Sequence, residues 1–272
     1  MTARDGATPA RRRTRPPLLA TGLAITATLF FVLPLAGLLW RAPWSSLAGD
    51  LGAPEVRTAL RLSLVTSLAA TAVAFVLGIP LAWILARVEF PGRRLLRALT
   101  TLPMVLPPVV GGVALLFAFG RRGLLGQWLD STFGIRLPFT TAGAVMAEAF
   151  VAMPFLVITT EAAFRTLDRR YEEAARTLGA SRWTVFRRVT LPLAGPALAA
   201  GGVLCWARAL GEFGATITFA GNFPGTTQTM PLSVYLALER GSDSAIVLSL
   251  VLLAVSLAVL VSLRDRWLGL PS

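Results

Sequence analysis

Six stretches of this sequence stay apolar for about twenty residues or more, the length of helix that crosses the hydrocarbon core of a bilayer. They run from Leu18 to Trp40, Ala59 to Ala86, Leu95 to Phe119, Phe139 to Thr160, Pro196 to Phe219 and Ala245 to Leu263. With 55% hydrophobic residues, 15% charged and a mean hydropathy of +0.68, the chain is too oily for an ordinary soluble domain. An all-α membrane protein with six transmembrane helices is predicted. Pro34, Pro80, Pro103, Pro107, Pro108 and Pro154 fall inside these stretches, which membrane helices tolerate when neighbours re-satisfy the freed backbone groups. Pro107, Pro108, Gly111 and Gly112 predict a bend in the third.

All 26 basic residues are Arg, there is no Lys and no His, and Cys205 is the one thiol. Cys/His zinc sites and His-based triads are therefore excluded, as is an internal disulfide. A phosphate-binding loop of the G-x-x-x-x-G-K-[ST] type needs a Lys on the nucleotide phosphates, so this chain is not an ATPase by itself. A sequence pI of about 11.7 would suggest nucleic acid in a soluble protein, but here the Arg residues lie between oily segments. With the N-terminus inside, the cytoplasmic loops and tails carry 18 Arg and the outer loops seven, with Arg208 inside a segment. That bias places both termini in the cytoplasm. The Arg-rich start resembles that of a signal peptide, but the apolar run is long and no small-x-small site follows it. An uncleaved anchor is expected.

The longest cytoplasmic loop carries the most local information. Glu172 to Leu178 favours a helix that stops at Gly179. A second short helix can begin at Ser181 as N-cap and run to Val189 before Pro192. Its Ala174, Ala175, Leu178, Trp183, Val185 and Phe186 alternate with Arg176, Arg182, Arg187 and Arg188. Composition alone also allows a loop lying on anionic headgroups. The order Glu173-Ala174-Ala175, three residues, Gly179, nine residues, Val189, one residue, Leu191-Pro192 resembles the EAA motif of ATP-binding-cassette importer permeases. The resemblance implies the type I ABC importer permease fold. It also implies that Glu172, Glu173, Ala174, Ala175, Leu178, Gly179, Ala180 and Ser181 dock into a groove of an ABC ATPase subunit. For the two Glu the competing reading is ordinary helix solvation.

A second stretch, Trp206 to Asn222 with its Gly-Glu-Phe-Gly-Ala core, followed by Pro224 to Leu238, resembles the molybdate/sulfate branch of that family, the molybdate permeases most. Arg208 and Glu212 stand i,i+4 on one helix face, and ionisable groups in a membrane face the interior or a cavity. They form either a neutralising structural pair or, with Phe213, Gly214, Thr216 and Thr218, the lining of a translocation path or gate. Asn222 can add an amide further out. Glu148 is read as a buried acid satisfied by a neighbouring helix, Cys205 as a small apolar residue, and Trp40, Trp44 and Trp267 as interfacial aromatics.

The expected organisation is then a disordered cytoplasmic tail at 1–16, a first membrane helix and outer loop at 17–56, the importer transmembrane domain at 57–264 with its EAA loop at 165–192, and a cytoplasmic tail at 265–272. No C-terminal regulatory extension is expected. The resemblance implies a bacterial or archaeal cell-membrane permease for molybdate, with tungstate as a further cargo, working as a homodimer with two ATPase subunits and an extracytoplasmic oxyanion-binding protein. It binds no cofactor itself, ATP and Mg being held by the ATPase. A sulfate or thiosulfate permease is the neighbouring reading. A stand-alone carrier using Arg208, Glu212 and Glu148 as a charge relay is the reading from another class.

Overall fold

The structure is a computed structural model that describes residues 17–241 and 244–267. The 1–16 tail and Leu268 to Ser272 lie outside the described residues, as do the side chains of Arg264, Arg266 and Trp267. Among the described residues the secondary structure is entirely helical. Helix α1 (Leu18–Trp40) belongs to one unit, Met1–Ala42, and buries none of its residues. Everything from Pro43 onward forms a second unit.

The second unit begins with a short α2 (Leu47–Leu51) and the long α3 (Pro54–Arg87), 34 residues or about 50 Å of helix. The third apolar stretch is two helices, α4 (Arg93–Val105) and α5 (Pro108–Phe119). The tandem prolines explain why a break replaces the expected bend. A residue before proline is pushed out of the α region, and Leu106 and Pro107 are both extended, with ψ of 136° and 130°. Pro108 then starts α5 at a position where its missing N–H costs nothing. A short α6 (Gly126–Phe133) precedes α7 (Thr141–Thr166). Thr140 caps α7 by accepting from Gly143 N at 3.1 Å, as N-cap threonines do.

The cytoplasmic loop of the sequence reading becomes α8 (Arg170–Thr177) and α9 (Arg182–Val185), followed by a π-helical turn over Phe186–Thr190 and α10 (Leu191–Leu210). Pro192 does not end the second short helix, as the sequence suggested. Its ring would clash with the carbonyl four residues back in a regular helix, and the wider turn just before it absorbs the misfit. The apolar span therefore runs from Arg182 to Leu210. The fifth stretch also breaks near its far end, at Gly211 to Phe213, before α11 (Gly214–Phe219). Helices α12 (Met230–Glu239) and α13 (Ser244–Trp267) complete the unit.

Helices α3, α7 and α10 form its centre. Ala70, Ala74, Ala149, Ala152, Cys205 and Ala209 pack there around Leu156, so small side chains let the backbones approach closely, which is what drives association inside a bilayer. One face of α3 adds polar ties at i, i+3 and i+4. Ser63 Oγ accepts from Met230 N at 2.7 Å. Thr66 Oγ1 donates to Glu148 Oε1 at 2.8 Å, and Ser67 Oγ accepts from Trp206 Nε1 at 3.0 Å. Glu148 is thus a buried acid held by a neighbouring helix. At the other end of α3, Arg93 Nε donates to Leu85 O at 2.8 Å and Arg97 Nη2 to the same carbonyl at 3.2 Å. These cations satisfy the helix terminus and complement its dipole.

Candidate functional site

Two regions gather the residues singled out by the sequence. The first is the α8–α9 knob. Gly179 adopts φ +83°, and around it Gly179 N donates to Arg176 O at 2.9 Å and Ala180 N to Ala175 O at 3.1 Å. This pair of bonds is the Schellman arrangement, which needs a left-handed residue that glycine supplies without strain. Two residues on, Ser181 Oγ accepts from Thr184 N at 3.2 Å and so caps α9. The knob is therefore built from its own local sequence.

Its two glutamates have different surroundings. Glu172 is turned into the chain: Arg87 Nη2 at the end of α3 donates to its Oε1 at 3.2 Å, and Thr190 Oγ1 donates to the same oxygen at 2.9 Å. The Arg87 and Glu172 side chains are 8% and 12% exposed. Arg87 also reaches Leu167 O at 3.3 Å. Glu172, which the resemblance places with Glu173 on the docking surface, is thus hydrogen-bonded within this chain. Glu173, Ala174, Leu178, Gly179 and Ser181 are exposed, Ala175 and Ala180 half-buried. Leu178, an apolar side chain, is 89% exposed. Beside the knob, Arg97 Nε bonds Glu161 Oε1 at 3.0 Å, which ties α4 to α7.

The second region is where the two helix breaks meet. A Cβ on Gly214 would lie 2.9 Å from Pro108 Cβ and 3.1 Å from Val109 N. One on Gly112 would lie 2.6 Å from Thr218 Cβ. Only residues without a side chain let α11 cross α5 this closely. Arg208 Nη1 and Glu212 Oε2 are 2.6 Å apart across the break, while Glu212 Oε1 accepts from Ala215 N at 2.8 Å. Glu212 thereby closes the break on both sides. Phe213 packs on Tyr235 with ring centroids 5.2 Å apart. Glu212, Gly214 and Thr216 are buried, whereas Arg208, Phe213 and Thr218 are partly exposed. Thr218 Oγ1 bonds back to Gly214 O at 2.7 Å. Thr216 Oγ1 and Asn222 Oδ1 are buried without a partner among the described residues. A groove of about 540 Å³ opens beside the break, with Gly211, Phe213 and Tyr235 facing Ser249 and Ser256 of α13.

The knob, with Leu178 exposed, is joined through α10 to a crossing of two broken helices. Residues 78–269 match the family of binding-protein-dependent transport system inner membrane components. The chain belongs to that family. It is a multi-pass protein of the inner membrane. The molybdenum transport system permease protein ModB of Mycobacterium tuberculosis is 46% identical over 89% of this chain and 92% of its own length. ModB of Escherichia coli is 44% identical over 79% of this chain and 94% of its own. The sulfate transport system permease protein CysT of Escherichia coli is 40% identical over 86% and 83%. A bacterial ABC transporter that imports the acidic polysaccharide alginate has the same fold, with a TM-score of 0.72 at 19% identity, covering 93% of this chain and 96% of that one. The matched region holds the knob and both breaks. The sequence reading missed Arg87, Thr190 and the Ser63, Thr66 and Ser67 face of α3. The i, i+3, i+4 spacing of those three was the one signal available for them.

Proposed function

We propose that this chain is the membrane-spanning permease subunit of an ATP-driven importer of molybdate, with tungstate as a chemically similar cargo. Two copies form the path, and a binding protein outside the membrane delivers the oxyanion. Two ATPase subunits, which hold ATP and Mg, seat on the knob through Glu173, Ala174, Ala175, Leu178, Gly179, Ala180 and Ser181. The observation that carries the reading is the knob itself, a Schellman turn and a capped helix presenting Leu178 and Glu173 outward while Glu172 anchors it to α3. The permease relatives at 44 to 46% identity support molybdate as the cargo.

The architecture supplies a mechanical route. The knob continues through the π-helical turn into α10, and α10 ends at the Gly211 to Phe213 break. Movement of the knob would displace α10 and load the point where Glu212 and Phe213 hold the crossing. Arg208 is neutralised by Glu212, so the path does not trap a dianion. The Arg bias, with Arg87, Arg93, Arg97 and Arg165 at the knob end, supports cytoplasmic termini. The test is co-reconstitution with the ATPase and binding protein in proteoliposomes. Molybdate uptake is expected to require ATP and to be lost in Gly179→Val and Glu173→Lys, with membrane insertion intact. Uptake by this chain alone, or wild-type coupling in both variants, would overturn the proposal. The 40% identity to a sulfate permease favours sulfate as the second candidate, and competition by sulfate in the same assay decides between them.

A further inference from the structure

A groove of about 610 Å³ lies between the last turns of α3 and the inner side of the knob. It is lined on one side by Pro80, Trp83 and Ile84 of α3 with Val88 just past its end, and on the other by Trp183 and Phe186. Phe186 stacks on Trp183 with centroids 5.7 Å apart and meets Trp83 edge-on at 5.8 Å. The rim carries Arg169, Arg176 and Arg182. Arg87 and Glu172, which also line the groove, neutralise each other. What remains is three Arg against Glu173, a formal excess of two positive charges.

The depth of the groove decides what fits. Pro80 stands seven residues before Arg87 on a continuous helix, about 10 Å further into the membrane-crossing part. The polar surface of a soluble subunit does not fill an apolar slot at that depth, but an acyl chain does. The route in is continuous: Val76, Leu77 and Ile84 are exposed at 70%, 57% and 38% along one face of α3. An apolar slot entered from the hydrocarbon, lined by tryptophans at the interface and rimmed by cations, has the chemistry of a phospholipid with an anionic head.

We infer that this groove binds one anionic phospholipid of the leaflet on the knob side, its phosphate among Arg169, Arg176 and Arg182 and one acyl chain along Pro80, Ile84 and Val88. The lipid then wedges between α3 and the knob, beside the surface assigned to the ATPase, with Glu173 at the border of the two. The inference uses the membrane placement of the chain and does not depend on the cargo.

The test reconstitutes the assembled transporter in nanodiscs of phosphatidylcholine with a minority of phosphatidylglycerol, followed by detergent exchange and native mass spectrometry. Wild type is expected to retain phosphatidylglycerol. Arg169→Gln with Arg182→Gln should lower retention about tenfold or more, and Ile84→Trp should lower it with all charges in place. Arg240→Gln, in an outer loop, should leave it unchanged. Equal retention of phosphatidylcholine, unchanged retention in both groove variants, or displacement by inorganic phosphate would each overturn the inference. Co-purification of the ATPase in the same samples reports separately on the docking reading and on whether the variants fold.

Discussion

The Glu172→Gln variant tests how the knob is held. Helix α8 buries none of its residues, so its attachment depends on the Glu172 contacts and on the turn through Gly179. The substitution removes the charge opposite Arg87, whose side chain is 8% exposed. The guanidinium keeps the Leu167 carbonyl at 3.3 Å as an acceptor but no anion. Breaking a buried pair from one side costs about 3–5 kcal/mol. The lower end applies, because the amide oxygen still accepts from Thr190 and the pair is not wholly dry. A loss of about 3 kcal/mol multiplies the opening equilibrium of the knob by about 150.

This opening is local, so global melting is the wrong readout. Hydrogen exchange followed by mass spectrometry on the 170–177 peptide measures it directly. Exchange there should accelerate about a hundredfold, with peptides from α7 and the middle of α3 unchanged. The double variant Arg87→Met, Glu172→Gln leaves no unpaired charge and should fall within about tenfold of wild type. Exchange within about threefold of wild type in the single variant, or a double variant as labile as the sum of the two singles, would refute the anchoring role.

At the break, Glu212 is ion-paired with Arg208 and accepts from Ala215 N, so Glu212→Ala should cost more than Arg208→Ala in a thermal-shift cycle. The double Ala variant should cost no more than Glu212→Ala, about 3 kcal/mol, and additive losses would count against the pairing. Gly112→Ala should destabilise by about 1–3 kcal/mol, because the new methyl would lie 2.6 Å from Thr218 Cβ and 2.9 Å from Ala215 O. Thr218→Gly should restore only part of that, since the Ala215 carbonyl stays, and full rescue in thermal unfolding would contradict the geometry. Gly202→Ala would place a methyl 2.5 Å from Phe75 Cζ. There Phe75→Leu should recover most of the loss in the same assay, and failure to recover any would show that the ring is not the obstacle.

Four described helices, Leu18–Trp40, Pro54–Arg87, Thr141–Thr166 and the Arg182–Leu210 span, are long and apolar enough to cross a membrane, and they were readable from the chain because a bilayer demands apolar length. The knob was readable for a different reason: Gly179 and Ser181 specify a helix stop and a helix start from within a few residues. Where partner choice is long-range, local pattern is silent. Arg87 meets Glu172 across 85 positions and Thr66 meets Glu148 across 82, and neither pairing leaves a trace in hydropathy. The break at Gly211 to Phe213 was hidden by its own composition, since Gly-Glu-Phe-Gly inside an apolar run reads as helix interior. What opens the helix there is Glu212 turning to the amide of Ala215, together with the close approach of Gly214 to Pro108. Pro192 misled in the opposite direction, because a π-helical turn let the helix run through it.

The strengths of these ties set where the structure gives way. Each polar tie from α3 to α7, α10 and α12 contributes about 0.6–1.7 kcal/mol in a membrane, but all three sit on one face of one helix, within an alanine-rich seam that has no room to shear. The Arg87 to Glu172 contact is stronger and lies at the end of that same helix, so the knob and the packed centre move as neighbours of one rod. By contrast, the stretch from Gly211 to Phe213 lacks continuous helical hydrogen bonding and is closed mainly by the Glu212 side chain. On the proposed coupling route, strain entering through α9 and the π-helical turn would meet stiff packing along α10 and its weakest resistance at the break. The cost of opening that break is set largely by one carboxylate.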